Sequence, residues 1–467
     1  MTAFSELDLD PALIAGVAAQ GFKDMTPIQA QSLPPMLAGR DVLAQAQTGS
    51  GKTAAFGLAL LQRLAVDQPI TQALVLCPTR ELADQVTRAI RALASQTPNV
   101  KLLTLCGGVP VRTQVASLEH APHIAVGTPG RVLALLKRDS LDSAAIETLV
   151  LDEGDRMLDM GFGDEIDAVI ARLPARRHTW LFSATWPDSV RGVSARLQHD
   201  PVSIHVAEHV ENAPAITQRF FKVDARAKLG VLMAVLARRK RDDQGDDQHG
   251  DTRTLVFCNT RADVDTVTEA LVRKNVDALA LHGDREQRER DEMLVRFSNG
   301  SCTVLVATDV AARGLDITGL PRVVNYDLAR DEDTHTHRVG RTGRAGQPGL
   351  AITLCLPAEA DRGQGIMAFA DTTLTWDRAP KDEGRSIASA PMTTLLIEGG
   401  RRDKLRPGDL LGALTGDVGL TADDVGKIDI GTVRSYVAIR RRLASNAMAG
   451  LREAGIKKRR FRVRVLR

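Results

Sequence analysis

The sequence predicts an α/β chain of two parallel sheets in tandem followed by a small α+β unit, and three observations carry that reading. Short apolar runs alternate with helical segments of roughly ten to fifteen residues, the pattern of strands joined by crossover helices with helices on both faces of a sheet. The runs come twice. Leu74-Val75-Leu76-Cys77-Pro78-Thr79-Arg80 is echoed by Leu255-Val256-Phe257-Cys258-Asn259-Thr260-Arg261, and Ile124-Ala125-Val126-Gly127-Thr128 by Val304-Leu305-Val306-Ala307-Thr308, at nearly the same offset. From Met392 onward the order becomes strand, helix, strand, strand, helix, strand, a split βαβ arrangement.

Length and composition set the outer bounds. At 467 residues the chain is too long for one core and suggests about three domains. Its hydrophobic fraction of 43% and charged fraction of 25% are those of ordinary globular protein. A net charge of +3, from 61 basic and 58 acidic residues, says little about partners, so distribution matters more. Between Arg452 and Arg467 stand eight Lys or Arg and one acid, Glu453, a basic stripe of the kind that meets phosphate backbones and equally of a solvated terminal strand. The five cysteines are scattered without a C-x-x-C pair, which fits buried thiols in a reducing compartment. The N-terminus has no basic leader, and no apolar run is long enough to cross a bilayer, so a cytoplasmic protein without a membrane partner is expected.

The first unit, residues 1–206, carries the chemistry. In Ala46-Gln47-Thr48-Gly49-Ser50-Gly51-Lys52-Thr53, glycines between a strand and a helix let backbone N–H groups approach phosphate oxygens. Lys52 would neutralise phosphate charge and the Thr53 hydroxyl would reach a magnesium ion; Ala46 stands where the general pattern has its first glycine. Downstream, Thr148-Leu149-Val150-Leu151 reads as a buried parallel strand delivering Asp152 and Glu153 to the same phosphates, Asp152 for the metal and Glu153 for the attacking water. Residues 207–214 lose the apolar period and read as a linker. The second unit, 215–357, has no phosphate loop and must bring something else to a shared cleft. Within it, 238–251 is polar and charged and reads as a mobile surface insertion. A loosely patterned connector, 357–391, leads to the third unit, 392–467.

With these motifs in place, the first 355 residues or so resemble a DEAD-box RNA helicase, which implies two RecA-like domains, ATP and Mg2+ as cofactors and RNA as partner. Gly21-Phe22 and Thr26-Pro27-Ile28-Gln29 are similar to the family's adenine-reading motif, implying that Phe22 stacks on the base and Gln29 reads its edge. The loop from Ala46, Gln47 and Thr48 through Gly49, Ser50 and Gly51 to Lys52 and Thr53 then holds the phosphates. Pro78-Thr79-Arg80-Glu81-Leu82, Gly107-Gly108 and Thr128-Pro129-Gly130-Arg131 resemble RNA-backbone contacts, placing Arg80, Gly108, Thr128, Arg131 and, in the second domain, Thr308 against RNA. Ser183-Ala184-Thr185 resembles the motif coupling hydrolysis to strand separation, with Ser183 and Thr185 bonding back to the acidic strand end. In the second domain the resemblance implies Asp316 on the ribose and Arg341 with Arg344 as arginine fingers. The family's alanine after the acidic pair is Gly154 here, whose added backbone freedom is expected to loosen the aim of Glu153 and slow hydrolysis at most.

The third unit resembles an RNA-recognition-motif-like domain and, through Leu405-Arg406-Pro407-Gly408-Asp409-Leu410 and Gly426-Lys427-Ile428, the tail of the bacterial DbpA subfamily. That likeness implies binding to a 23S-type large-subunit ribosomal RNA hairpin and work on a pre-ribosomal particle. Ser435-Tyr436-Val437-Ala438-Ile439 has one aromatic where a base-stacking sheet has two or three, so edge loops and the basic segment Lys457, Lys458, Arg459 and Arg460 become the expected RNA surface. Two other functions stay open at this stage: an ATP-switched RNA clamp or assembly scaffold that hydrolyses weakly, motivated by Gly154, and a DNA translocase, for which no DNA-tracking element is visible.

Overall fold

In the central strands of the first sheet, neighbouring residues are buried in opposite directions, which is why those strands read as apolar runs. The computed structural model describes residues 3–46, 49–206, 216–237, 251–312, 319–343, 348–371, 373–457 and 459–466. The linker 207–214, nearly all of the insertion 238–251 and the site residues Gln47, Thr48, Asp316, Arg344 and Lys458 lie outside them. Strands β1 (Val42–Gln45), β2 (Ala73–Leu76), β3 (Leu102–Leu105), β4 (Ile124–Gly127), β5 (Thr148–Asp152), β6 (His178–Ser183) and β7 (Val202–His205) form one parallel sheet in the order β3-β4-β2-β5-β6-β1-β7. Val42, Ala44, Val75, Val150 and Phe182 face the helices that carry Leu13, Ile28, Phe56 and Ile90. Leu43, Leu74, Leu149, Leu151 and Leu181 face those carrying Val132, Met157, Ile166 and Val190.

The second sheet repeats the first. Strands β8 (Ile216–Lys222), β9 (Thr254–Phe257), β10 (Ala278–Leu281), β11 (Val304–Ala307), β12 (Arg322–Asn325), β13 (Gly349–Cys355) and β14 (Trp376–Asp377) are parallel in the order β10-β11-β9-β12-β13-β8-β14, the first order advanced by seven. The sequence echo thus pairs β2 with β9 and β4 with β11. Even the helix caps repeat: Thr79 Oγ1 accepts from the Leu82 N–H, and Thr260 Oγ1 from the Asp263 N–H. Part of the connector belongs to this sheet. The helix Ala360–Ala370 buries Ile366 and Met367 against Phe220 and Leu328, and β14 pairs with Phe220 and Phe221. Arg219 Nε holds Asp377 at 2.9 Å, while Lys222 lies 5.0 Å from the Trp376 ring centre.

The third unit is a four-stranded antiparallel sheet, β16-β17-β15-β18, built from β15 (Met392–Ile397), β16 (Val425–Ile430), β17 (Ser435–Arg440) and β18 (Val463–Val465). Leu395, Ile397, Val437 and Ile439 of one face pack on Leu410 and Leu451 of the helices Pro407–Gly412 and Ala444–Ala454. On the opposite face the middle strands meet the second unit. Thr394 Oγ1 accepts from Asn299 Nδ2 at 2.9 Å and lies 2.9 Å from Ser301 Oγ, with all three residues buried. Asp277 Oδ2 accepts from the Ala390 N–H and from Arg441 Nη2, both at 2.8 Å, and Arg434 reaches Glu292 at 3.3 Å. Burial raises the Tyr436 pKa and the nearby Glu292 charge adds to it, which places that ring beside the second unit as well.

This polar seam sets a first expectation. Thr394→Val keeps the volume but leaves the buried Asn299 amide without its acceptor, at a cost of about 1–3 kcal/mol. The midpoint of urea unfolding followed by far-UV circular dichroism should fall; an unchanged midpoint would mean the seam does not hold this face.

Candidate nucleotide and RNA site

Three adjacent strand ends meet at one point. The loop after β1 begins with the Ala46 N–H donating to Ser183 O of β6 at 3.0 Å. From β5, the Asp155 N–H donates to Ser183 Oγ at 3.3 Å, and Asp155 Oδ2 accepts from the N–H groups of Ala184 (3.1 Å) and Thr185 (3.0 Å) and from Thr185 Oγ1 (3.0 Å). Ser183 Oγ in turn donates to Thr185 O at 2.6 Å. The structure therefore brings Ser183 and Thr185 onto the acidic strand end.

Gly49 and Gly51 take φ of 89° and 97°, left-handed values open to glycine at no steric cost, and they turn the loop into the helix Lys52–Arg63. Lys52 is buried and its Nζ donates to Ala46 O at 2.7 Å, across the mouth of the loop. Thr53 follows in the first turn, with Ser50 just ahead of it. Gln29 braces the loop from the side. Its Oε1 accepts from the Thr26 N–H (2.9 Å) and its Nε2 donates to Gly51 O (3.1 Å), and a carboxamide still has a second N–H and a second lone pair. Phe22, 46% exposed, offers a ring face.

Asp152 is 2% exposed, and burial pushes its carboxyl up to about 7; Lys52 opposes that shift and Glu153 adds to it. Its Oδ1 is buried with no hydrogen-bond partner, which suits a cation. Glu153 is the non-glycine residue in left-handed backbone (φ 55°, ψ 53°) that leads into the helix Gly154–Asp159. The Arg156 guanidinium, unremarked in the sequence, donates from Nη1 to Glu153 Oε2 at 2.6 Å. Three-residue spacing on a helix start was the available signal.

Arg80, Gly108, Thr128 and Arg131 follow the C-terminal ends of β2, β3 and β4, on the same rim of the sheet. Gly108 has φ of 76°, and Arg131 Nη1 donates to Val109 O (2.8 Å) and Gln114 Oε1 (2.6 Å), with Gln114 Nε2 bonded to Cys106 O (3.0 Å). Arg131 thus braces the glycine loop, and Gln114 is a support the sequence reading missed. In the second unit, Thr308 follows β11 and Arg341 is buried beside Asp309, His337 and Arg338. Arg338, also missed, ties this rim together: it pairs with both Asp309 oxygens (2.6 and 2.8 Å) and donates to Asp327 O (2.7 Å) and Asn259 Oδ1 (2.8 Å). In the tail, Lys457 is paired with Asp409 (2.9 Å) and Arg459 with Asp403 (3.1 Å), whereas Arg401, Arg402, Lys404 and Arg460 are exposed at the same end.

Residues 26–193 match the DEAD/DEAH box helicase family, 228–346 the helicase conserved C-terminal domain and 394–465 the DbpA RNA binding domain. The chain is 50% identical to the ATP-dependent RNA helicase DbpA of Escherichia coli K12 across all of both chains. It is 41% identical to the ATP-dependent RNA helicase CshA of Listeria monocytogenes over 81% of this chain and 72% of that one. Among solved structures, Saccharomyces cerevisiae Dbp5 bound to RNA and ADP BeF3 aligns with a TM-score of 0.70 at 30% identity, covering 82% of this chain and 97% of that one.

Gly154 departs from the pattern without using its freedom, for it is absent from the left-handed residues and sits in an ordinary helical turn. A Cβ there would meet Leu181 Cδ2 at 3.3 Å, and Leu181 borders a small apolar cavity with Met157, Ile166 and Val190 into which it can yield. Gly154→Ala should therefore fold and gain up to about 1 kcal/mol, mainly by restricting the unfolded chain. RNA-stimulated ATP turnover should stay within about twofold of wild type, given the small displacement. A large fall in turnover would show that the glycine is required.

Proposed function

This chain belongs to the DEAD-box RNA helicases, an RNA-dependent ATPase that carries a DbpA RNA-binding domain, and on that premise we propose how its residues divide the work. The observation that carries the reading is the three-strand junction, where Ala46 at the start of the phosphate loop and Asp155, just beyond the buried acidic pair, are both bonded to Ser183–Thr185. Loop N–H groups from Ala46 to Thr53 and Lys52 hold the ATP phosphates, with Phe22 and Gln29 at adenine and Asp316 at the ribose. Thr53 and Asp152 would hold a magnesium ion, which supplies charge neutralisation on the phosphates; one carboxylate and a hydroxyl, completed by phosphates and water, is the usual donor set. Glu153 orients the attacking water and accepts its proton. Arg341 and Arg344 stabilise charge developing on the transferred phosphoryl group. Through Asp155, Ser183 and Thr185 link that chemistry to the strand-separating step. Arg80, Gly108, Thr128, Arg131 and Thr308 contact RNA backbone without reading bases.

The tail supplies the target. We infer a 23S-type ribosomal RNA hairpin in a pre-ribosomal particle, in the cytoplasm, from the likeness of the tail to the DbpA subfamily. Engagement of the middle strands by the second unit supports RNA binding at the exposed basic end, where Arg401, Arg402, Lys404 and Arg460 gather. Gly154 lies in ordinary helical backbone, so nothing favours a weakly hydrolysing clamp.

Two experiments test this division. Glu153→Gln should bind ATP and RNA but retain only a small residual turnover, because an amide cannot accept the proton; wild-type phosphate release would sink the assignment. Arg402→Gln with Arg460→Gln should weaken hairpin binding and flatten its salt dependence by roughly one in log–log slope per arginine. These two are chosen because Lys457 and Arg459 also stabilise the tail internally. An unchanged slope would remove this end of the tail as the RNA surface.

A further inference from the structure

Burying a guanidinium is costly unless a defined partner holds it, and Arg156 is among the largest fully buried side chains of the protein. Its side chain is 1% exposed, that of Glu153 is 5% exposed, and Nη1 to Oε2 is 2.6 Å, short even for a charge-assisted bond. The two ends of this pair are fixed by different means. Glu153 is held in left-handed backbone, which a residue with a side chain keeps only when its surroundings impose it. The Arg156 N–H donates to Asp155 Oδ1 at 3.0 Å, while Asp155 Oδ2 is committed to Ala184 and Thr185. A continuous set of bonds therefore runs from Thr185 through Asp155 to the backbone of Arg156, and from its guanidinium to the Glu153 carboxylate.

We propose that Arg156 is the positioning residue for Glu153: it fixes one carboxylate oxygen and thereby the plane in which the other can meet the attacking water. It touches neither ATP nor water itself, and acts only through Glu153. The inference rests on Glu153 being the water-orienting residue, and it transfers to Arg156 the control of aim that the sequence alone had assigned to position 154. A carboxylate able to swing by about 1 Å loses up to about 100-fold in rate while ground-state contacts elsewhere are untouched.

The test is a double-mutant cycle on the full-length protein, reading ATP turnover at saturating single-stranded RNA and the binding of a fluorescent ATP analogue. Arg156→Gln should lower kcat by roughly 10- to 100-fold with KM for ATP nearly unchanged. Arg156→Lys, which can still offer one N–H to Oε2, should recover part of that loss. Adding Arg156→Gln to Glu153→Gln should cost nothing further, since a residue acting only through Glu153 has nothing left to aim. An equal fractional loss in both backgrounds, or a kcat for Arg156→Gln equal to wild type, overturns the proposal. If Arg156→Gln fails to bind the ATP analogue, Arg156→Lys decides: reduced kcat at unchanged KM supports the proposal and full kcat overturns it. Wild-type turnover by Glu153→Gln alone would instead overturn the assignment of Glu153, and the positioning role with it, and is recognised separately because it does not involve Arg156.

Discussion

The rim of the first sheet is knit together by the Asp155 carboxylate. One of its oxygens takes the Arg156 N–H and the other takes two N–H groups and the hydroxyl of the Ala184-Thr185 turn. A buried carboxylate accepting several donors is a rigid joint, because every bond lost would leave a desolvated charge underserved. Since Ser183 also receives the Ala46 N–H, the same joint registers the phosphate loop against the acidic strand end. The proposed division of work asks for those groups to be placed to a fraction of an ångström, and the parallel sheet alone, with side chains at the ends of separate strands, would not supply that precision.

The second sheet shows what the same architecture does without a phosphate loop. Its strand order and helix caps copy the first, yet its rim is organised around a buried cation instead of a buried anion. Arg338 gathers Asp309, Asn259 and the Asp327 carbonyl, while Lys228 reaches Asp327 at 2.8 Å. One copy thus gathers acids and backbone donors at its rim, and the other gathers guanidinium groups set in acidic sockets. Opposite charge at the same place on two similar frames is what sets the copies apart.

Much of this was legible in the residues. The apolar runs located the strands because parallel strands are buried on both faces, and the glycines of the phosphate loop marked the turn because only they take φ near 90° without strain. The cysteines, all five buried, followed from the apolar company they keep. What escaped were contacts between residues distant in sequence or serving other residues. Arg156 was visible only as an arginine in a helical run, Arg338 as a member of the His337-to-Arg344 motif with no role of its own, and Gln114 as a polar helix residue. The concern over Gly154 came from glycine's general freedom, whereas its actual backbone is one any residue adopts. In the tail, the scarcity of aromatics in β17 was readable, but its cause was not: Thr394 and its face are engaged by Asn299 and Ser301, nearly a hundred positions earlier.

The edge strand β14 has a consequence for how the molecule is made. The first sheet is finished once His205 has been synthesised, so its pairing can be completed early on the ribosome. The second cannot close when its apparent domain ends: β8 is among its first residues, yet its two neighbours, β13 and β14, arrive only with residues 349–377. Until then Phe220 and Phe221 belong to an unpaired strand, the kind of exposed edge on which nascent chains misassociate. Such distant parallel pairings are intrinsically slow to form. The connector is therefore a fastening for the second sheet during synthesis as much as a lead to the tail, and a chain interrupted ahead of Trp376 would leave that sheet open.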